Sequence, residues 1–208
     1  MQYVGSPIRE DVRDTLISNK YSALNEIPNG GTVATGSVRR KAQLLSVRPD
    51  LKIVPLRGNV DTRIKKLHKN GWDAIIVAAA AIHRLNICDV FIEYLDPNIH
   101  VPAPCQGALG IEISNNRKDL INILDTIIDN NTTLCCNAER SFLNRIDDSC
   151  SVPVGCSTLI KDKIFFIKGY LSNIDGSNKF IENIKGPITE SQNIAIKLAE
   201  LLLKRINK

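Results

Sequence analysis

Short apolar runs alternate with helical stretches over the first half of the chain. Residues 32–35 (Thr-Val-Ala-Thr) read as a strand, Gly36-Ser37 as a turn, and residues 38–47 as a helix that Pro49 closes. Residues 52–56 (Lys-Ile-Val-Pro-Leu) predict a second strand. Asn59 or Asp61 supplies the cap of a helix through Ile64, Leu67 and His68 that stops near Asn70-Gly71. Residues 73–79 are almost continuously apolar, as expected of a strand covered on both faces. Strand, helix, strand, helix, strand predicts a mostly parallel sheet with helices packed on it.

The pattern changes at Val101-Pro102-Ala103-Pro104, a proline-rich break that marks a domain crossing. Residues 109–113 are strand-like, and residues 118–128 carry a helical apolar stripe of Leu120, Ile121, Leu124, Ile127 and Ile128. A further helix begins after Asn130-Asn131-Thr132-Thr133 and runs to about Ile146, with Leu134, Ala138, Phe142 and Leu143 on its apolar face. Residues 157–160, 163–170 and 179–184 read as strands. The turn signals Lys161-Asp162 and Asp175-Gly176 between them predict an antiparallel meander. Residues 188–206 form the expected terminal helix, and there are no internal repeats.

Composition narrows the class. A length of 208 residues suits one large domain or two small ones, and 43% hydrophobic with 24% charged residues is ordinary for a soluble globular protein. Aromatics are only 5%, so the core is expected to be aliphatic. No apolar run reaches the roughly 18 residues of a membrane span. Met1 to Ser6 lacks the basic start and apolar core of a signal peptide, so the expected location is cytoplasmic.

Six cysteines (Cys88, Cys105, Cys135, Cys136, Cys150 and Cys156) show no C-x-x-C spacing and no zinc-type Cys/His cluster. They are read as reduced thiols, most of them buried as small hydrophobes, with no metal site. The net charge of +5 points only weakly to an anionic partner.

The placement of arginine says more than the total charge. Ligands of open parallel sheets gather at the carboxyl ends of the strands. The strand ending at Thr35 is followed by Ser37, Arg39 and Arg40, and the strand ending at Leu56 by Arg57 and then Arg63. The third is followed, one helical turn on, by Arg84. Backbone N–H groups at the Gly36-Ser37 and Gly58-Asn59 turns lie near helix N-termini, where anions are favoured. The planar guanidinium fork donates two parallel hydrogen bonds to a carboxylate. Together these features predict a site for a ligand with several carboxylates or phosphates. One alternative is a set of solvated helix arginines on a basic protein. Another is nucleic-acid binding, disfavoured by the lack of stacking aromatics near the cluster and of a binding motif.

Three segments carry a specific resemblance. They are Ala34-Thr35-Gly36-Ser37-Val38-Arg39-Arg40-Lys41-Ala42-Gln43-Leu44, Leu56-Arg57-Gly58-Asn59-Val60-Asp61-Thr62-Arg63 and Cys105-Gln106-Gly107-Ala108-Leu109-Gly110-Ile111-Glu112. With Cys150, in Cys-Ser-Val-Pro-Val, they resemble the porphobilinogen deaminase (hydroxymethylbilane synthase) family from about Pro7 to the C-terminus. Arg-Pro-Asp-Leu at 48–51 and Asp-Ala-Ile-Ile at 73–76 follow the same family.

The resemblance implies a transferase of tetrapyrrole (haem) biosynthesis. Its reaction is the head-to-tail condensation of four porphobilinogen molecules to hydroxymethylbilane with loss of ammonia. The growing chain is built on a dipyrromethane cofactor held as a thioether on Cys150, since a thiolate adds readily to an electrophilic pyrrole methylene. Ser37, Arg39, Arg40, Arg57, Arg63 and Arg84 are implied to bind the carboxylates of cofactor and growing chain. The implied fold is α/β. A periplasmic-binding-protein-like parallel or mixed sheet domain is followed by a small α+β C-terminal domain with an antiparallel three-stranded sheet.

The expected division is a linker remnant of a first domain at 1–9, an α/β domain carrying the arginine rim at 10–101, a segment returning to the incomplete first domain at 102–126, and a C-terminal domain with the cofactor cysteine at 127–208. The family is usually monomeric.

The family's N-terminal part, with the aspartate that follows a lysine and stabilises charge on the pyrrole nitrogens, has no counterpart in this sequence. No catalytic residue is identified in this chain; Asp61, Asp73 and Glu112 are the carboxylates nearest the family motifs. Activity is therefore expected to need that N-terminal part, on another chain if not on this one, and the returning segment is expected to expose apolar surface.

Two positions depart from the family. Asp148-Ser149 stand where two glycines usually precede the tethering cysteine, and Cys105 stands where a glycine usually precedes Gln-Gly-Ala. Ala138-Glu139-Arg140 is retained. Cys156 is the nearest second thiol, a substitute only if its loop moves, and Cys135-Cys136 are unsuited to bridging each other. The remaining alternative is a non-catalytic polyanion-binding protein of the same fold, against which the retained Cys150 argues.

Overall fold

Asp14–Ser18 (β2) is buried at every position and forms the spine of the larger sheet. In the computed structural model, which describes residues 1–146 and 152–206, this sheet also contains Thr32–Ala34 (β3), Lys52–Val54 (β4), Ala74–Ala78 (β5) and Phe91–Tyr94 (β6). Its order is β4-β3-β5-β2-β6. β3 runs parallel to β4 and β5, whereas β2 runs antiparallel to β5 and β6. The sheet is thus mixed rather than mostly parallel. β2 and β6 carry no expected element, for a physical reason in the case of β2. Its buried polar side chains break the apolar pattern, yet they are satisfied inside. Thr15 Oγ1 donates to the Val77 carbonyl at 3.2 Å and Ser18 Oγ to that of Asp73 at 2.6 Å.

The helices of this unit begin and end where the sequence predicts. Ser37 caps Val38–Val47 (α1), its side chain accepting from the Arg40 N–H. Asn59 caps Val60–Asn70 (α2) by accepting from Thr62 N–H at 2.9 Å, and Gly71 closes it at φ 64°. Ala79–Leu85 (α3) follows β5 directly. Leu16, Val33, Leu44 and Ile76 pack on one side of the sheet, and Ile17, Ala34, Leu67, Ile75 and Ile82 on the other. Both faces are covered, which explains the uninterrupted apolar run of β5.

The expected linker at the N-terminus is instead a strand. Gln2–Gly5 (β1) pairs antiparallel with Ile111–Ile113 (β7) in a two-stranded sheet. The helix expected over 118–128 reduces to a 3₁₀ turn, Lys118–Leu120, and one turn of α-helix, Ile121–Leu124 (α4). Its stripe has little to pack against: Ile121 is 36% and Ile127 54% exposed, and Ile123 and Leu109 nearby in sequence are also exposed. Short helices without tertiary packing do not propagate, so this one stops.

The C-terminal layer follows the expected meander. Val154–Lys161 (β8), Ile164–Leu171 (β9) and Phe180–Pro187 (β10) pair antiparallel in the order β10-β9-β8. The tight turn at Asp162-Lys163 puts both residues at positive φ, 51° and 60°. Asn130–Ile146 (α5) and Ser191–Ile206 (α6) bury Ala138, Phe142, Leu198 and Leu202 against Cys156, Phe165 and Ile167 of the sheet.

The segment 101–107 touches all three sheets' neighbourhoods. Glu10 N–H donates to the Gly107 carbonyl at 2.9 Å, Arg9 Nε to the Gln106 carbonyl at 2.9 Å, and Cys156 N–H to the Pro102 carbonyl at 2.8 Å. Gly107 sits at φ 80°, and a Cβ there would press within 2.7 Å of the Glu10 carbonyl. A buried carboxylate, Glu139 of α5, secures the same region. It accepts Arg9 Nη1 and Nη2 at 2.7 and 3.0 Å, Cys105 N–H at 2.5 Å and Thr158 Oγ1 at 2.7 Å. A buried charge with four donors is fully compensated.

Candidate functional site

Close backbone approach builds the rim. A Cβ at Gly36 would overlap the Leu56 carbonyl, so only glycine lets the start of α1 lie against the end of β4. Gly58 adopts φ 121°, turning the chain from β4 into α2. The result is a cavity of about 370 Å³ lined by Gly36, Ser37, Arg40, Leu56, Arg57, Gly58 and Arg63. Arg63 Nε donates to the Gly58 carbonyl at 2.8 Å, and Lys66 Nζ to that of Arg57 at 2.8 Å. Neither Arg57 nor Arg63 has an acidic partner among the described residues. Three guanidinium groups around one opening, none balanced by a carboxylate on its wall, suit an anion.

The acid that does meet this cluster lies behind the wall. Asp14 Oδ2 accepts Arg39 Nη1 at 2.7 Å, while Oδ1 accepts Arg40 Nε and Gln106 Nε2, each at 2.9 Å, and forms a 2.8 Å ion pair with Arg40 Nη2. Burial by itself would raise the Asp14 pKa, but the Arg39 and Arg40 charges and hydrogen bonds outweigh it and hold the carboxyl below its usual range. Arg40 is lowered, first by burial and then by Arg39 and Arg63 beside it, with Asp14 opposing. His100, buried close to this group, is pushed down to about 4, chiefly by burial, with Arg39 and Lys179 adding to the effect and Asp14 and Asp96 resisting it. It is neutral at pH 7.

The structure therefore separates the expected binding residues. Ser37, Arg40, Arg57 and Arg63 come together around the cavity. Arg39 is buried, its Nη1 divided between Asp14 and the Val101 carbonyl, both at 2.7 Å, and it does not line the opening. Arg84, on α3, is exposed and also outside the lining. Cys150, the expected attachment residue, and the Asp148-Ser149 departure lie outside the described residues. Cys156 is fully buried in β8, and burial raises its thiol well above the ordinary value, so it offers no second nucleophile in this arrangement.

Asp14 carries no role in the sequence pattern, and Gln106 only a place in the Cys105–Glu112 segment. The only signal for Asp14 was a carboxylate heading a strand-sized apolar run, Asp-Thr-Leu-Ile-Ser, with arginine just before it. A cavity of about 830 Å³ lies elsewhere: its walls include Leu45, Leu171, Ile174, Leu203 and Ile206, and Lys41 is the one cation among its described lining residues. An apolar wall of this kind does not suit a polycarboxylate, and the smaller basic cavity is the better candidate.

Comparison with known proteins identifies the family. Residues 1–122 match the family model described as porphobilinogen deaminase, dipyromethane cofactor binding domain, and residues 133–204 match porphobilinogen deaminase, C-terminal domain. The porphobilinogen deaminase of Clostridium novyi (strain NT) is 43% identical over 205 residues, covering 97% of this chain and 68% of the relative. That of Clostridioides difficile (strain 630) is 40% identical over 206 residues, 98% of this chain and 68% of the relative. That of Lawsonia intracellularis (strain PHE/MN1-00) is 39% identical over 196 residues, 94% and 63% respectively. The chain thus spans about two thirds of the length of these curated relatives. On two family models and relatives matched almost end to end of this chain, it belongs to the porphobilinogen deaminase family.

Proposed function

We propose that this chain supplies the carboxylate-binding rim and the tethering thiol for head-to-tail condensation of four porphobilinogen molecules to hydroxymethylbilane, with release of ammonia, in the cytoplasm. The observation that carries this reading is the grouping of Arg40, Arg57, Arg63 and Ser37 around one cavity in which Arg57 and Arg63 have no acidic partner among the described residues. Such a donor set fits a dipyrromethane, which bears an acetate and a propionate on each ring. When bound, the dipyrromethane supplies a primer whose terminal pyrrole is the point of extension.

The chain's own residues would act as follows. Arg57 and Arg63 pair with carboxylates at the mouth, where neither has an acidic partner among the described residues and Arg63 is steadied by its Nε bond to the Gly58 carbonyl. Arg40, fixed from behind by Asp14, presents an edge of its guanidinium to the cavity. Ser37 keeps the start of α1 in place through its cap and lines the wall. Cys150 holds the primer as a thioether. Arg39 acts through Arg40 and the crossing segment rather than on a ligand carboxylate, and Arg84 serves a later, outer position.

The charge-stabilising aspartate that the family resemblance implies belongs to the family's N-terminal part, and turnover by this reading requires that part, on the same or another chain. The exposed Leu109, Ile123 and Ile127 support an apolar partner surface beside the β1–β7 sheet. A second reading, polyanion binding without turnover, is favoured by one observation: no carboxylate lines the basic cavity among the described residues.

Intact mass of the purified protein, measured beside a Cys150→Ser variant, tests the proposal. A two-pyrrole adduct present in the parent and lost in the variant is expected when the N-terminal part is co-expressed. Absence of the adduct under that condition, with no binding of porphobilinogen, would leave the family ancestry and remove the activity.

A further inference from the structure

The crossing segment and α5 bring together two thiols that the tetrapyrrole reading does not use. Cys105 Sγ lies 3.6 Å from the Cys136 carbonyl oxygen, and both residues line a small opening of about 130 Å³ with Tyr3, Ser6, Ala108, Gly110, Glu112 and Arg140. Both thiols are free. Cys105 is partly exposed, whereas Cys136 is 3% exposed and reached through this opening. Cys105 is anchored by its N–H to Glu139 and holds a left-handed backbone, φ 59°, so its side chain is fixed toward α5.

We infer that Cys105 and Cys136 form an oxidisable dithiol, a modification site for a small peroxide, which closes to a disulfide between the crossing segment and α5. The opening, about 130 Å³, has room for hydrogen peroxide. The Cys136 thiolate attacks one peroxide oxygen, the O–O bond breaks, and hydroxide leaves and takes a proton as water. The sulfenic acid formed on Cys136 is then attacked by Cys105 sulfur, which gives up its proton as the second water departs. Two thiols and one peroxide thus yield one disulfide and two waters.

The order of attack follows from the surroundings. A hydrogen bond from the Cys105 thiol and the Arg9 charge, opposed by burial and Glu139, hold Cys136 below its ordinary value and favour its thiolate. The same exchange, together with burial, raises Cys105. Cys136 is accordingly the attacking sulfur and Cys105 the resolving one. Cys135, adjacent in sequence, is raised by burial and does not line the opening.

Peptide mapping of the reduced full chain before and after hydrogen peroxide tests this. The expected result is a cross-linked peptide pair containing Cys105 and Cys136, with loss of two hydrogens from the intact mass, reversed by a thiol reductant. Cys136→Ser should abolish the cross-link and leave Cys105 thiol unmodified, while Cys105→Gly should leave Cys136 to accumulate further oxygen; Cys135→Ser should behave as the parent. The parent protein alone decides the matter if a variant fails to fold. A cross-link involving other cysteines, or oxygen added to Cys136 with no bridge to Cys105, would overturn the inference, as would an unreacted pair while exposed Cys88 is oxidised.

Discussion

Asp14 and Arg39 form a 2.7 Å ion pair in which both side chains are nearly inaccessible, 2% and 6% exposed. The pair lies between β2, α1 and the crossing segment, so its loss should be felt in stability and in ligand binding together. Asp14→Asn keeps the shape and removes the charge that two guanidinium groups face. Breaking a buried pair on one side costs about 3–5 kcal/mol, and urea unfolding should show a loss of that order. The variant also removes one negative charge, so simple electrostatics would tighten polycarboxylate binding. We expect it to weaken, because Arg40 loses its backing; a tighter complex would show that Asp14 does not position Arg40.

Arg57 and Arg63 should separate from Arg39 in the same assay. Arg57→Ala removes an exposed guanidinium and is expected to leave stability within about 0.5 kcal/mol. Its effect on dipyrromethane or porphobilinogen binding should be about tenfold, the size of one charge-assisted hydrogen bond. Arg39→Ala should do the reverse, lowering stability first. Calorimetric binding alongside thermal unfolding reads both, and equal binding losses with equal stability losses would contradict the division.

His100 makes the fold acid-sensitive in a defined window. Its folded-state pKa is about 4, below the ordinary histidine value of 6.5, because burial disfavours the imidazolium. The unfolded chain therefore takes up a proton first as pH falls. The neutral-histidine contribution is whole above about 6.5, declines on acidification, and is exhausted near 4, a change of up to about 3 kcal/mol. His100→Asn should flatten the stability profile between those limits, measured by urea midpoints from pH 7.5 to 4. An unchanged slope would assign the acid sensitivity to other groups.

The exposed face near α4 gives a test of opposite kind. Ile123→Glu and Ile127→Glu fall on largely solvated positions, so each should change the stability of this chain by no more than about 0.5 kcal/mol. If the N-terminal part of the family docks there, the same changes should weaken its association severalfold in a sedimentation or pull-down titration. A large destabilisation of the isolated chain would mean that the face is already packed.

How far the sequence spoke for itself varied by element. The caps at Ser37 and Asn59, the stop at Gly71 and the C-terminal meander were legible because each depends on local chemistry. The arginine rim was legible as a group, since strand ends and glycine turns mark it. The difference between Arg39 and Arg40 was not. Adjacent helical residues point about 100° apart, and only the presence of Asp14 and Val101 on one side tells which is buried. β2 is hidden in the sequence for a related reason: its polar side chains find their partners on β5, on Asp73 just before it and on α1, all distant in sequence. The shortfall of the helix over 118–128 came from the absence of a packing surface, a property no single window of sequence contains.

The two chain passages at 9–12 and 105–107 run side by side, bonded through Glu10 and Gly107 and braced by Gln106, whose amide also donates to the Val12 carbonyl at 2.7 Å. A single passage between two bodies acts as a swivel. Two passages fastened together act as a door hinge: they permit opening about one axis and resist torsion about the other. Under the proposed function, any opening along this double passage is confined to one axis, and Arg40, Arg57 and Arg63, which line one cavity, stay grouped as they are.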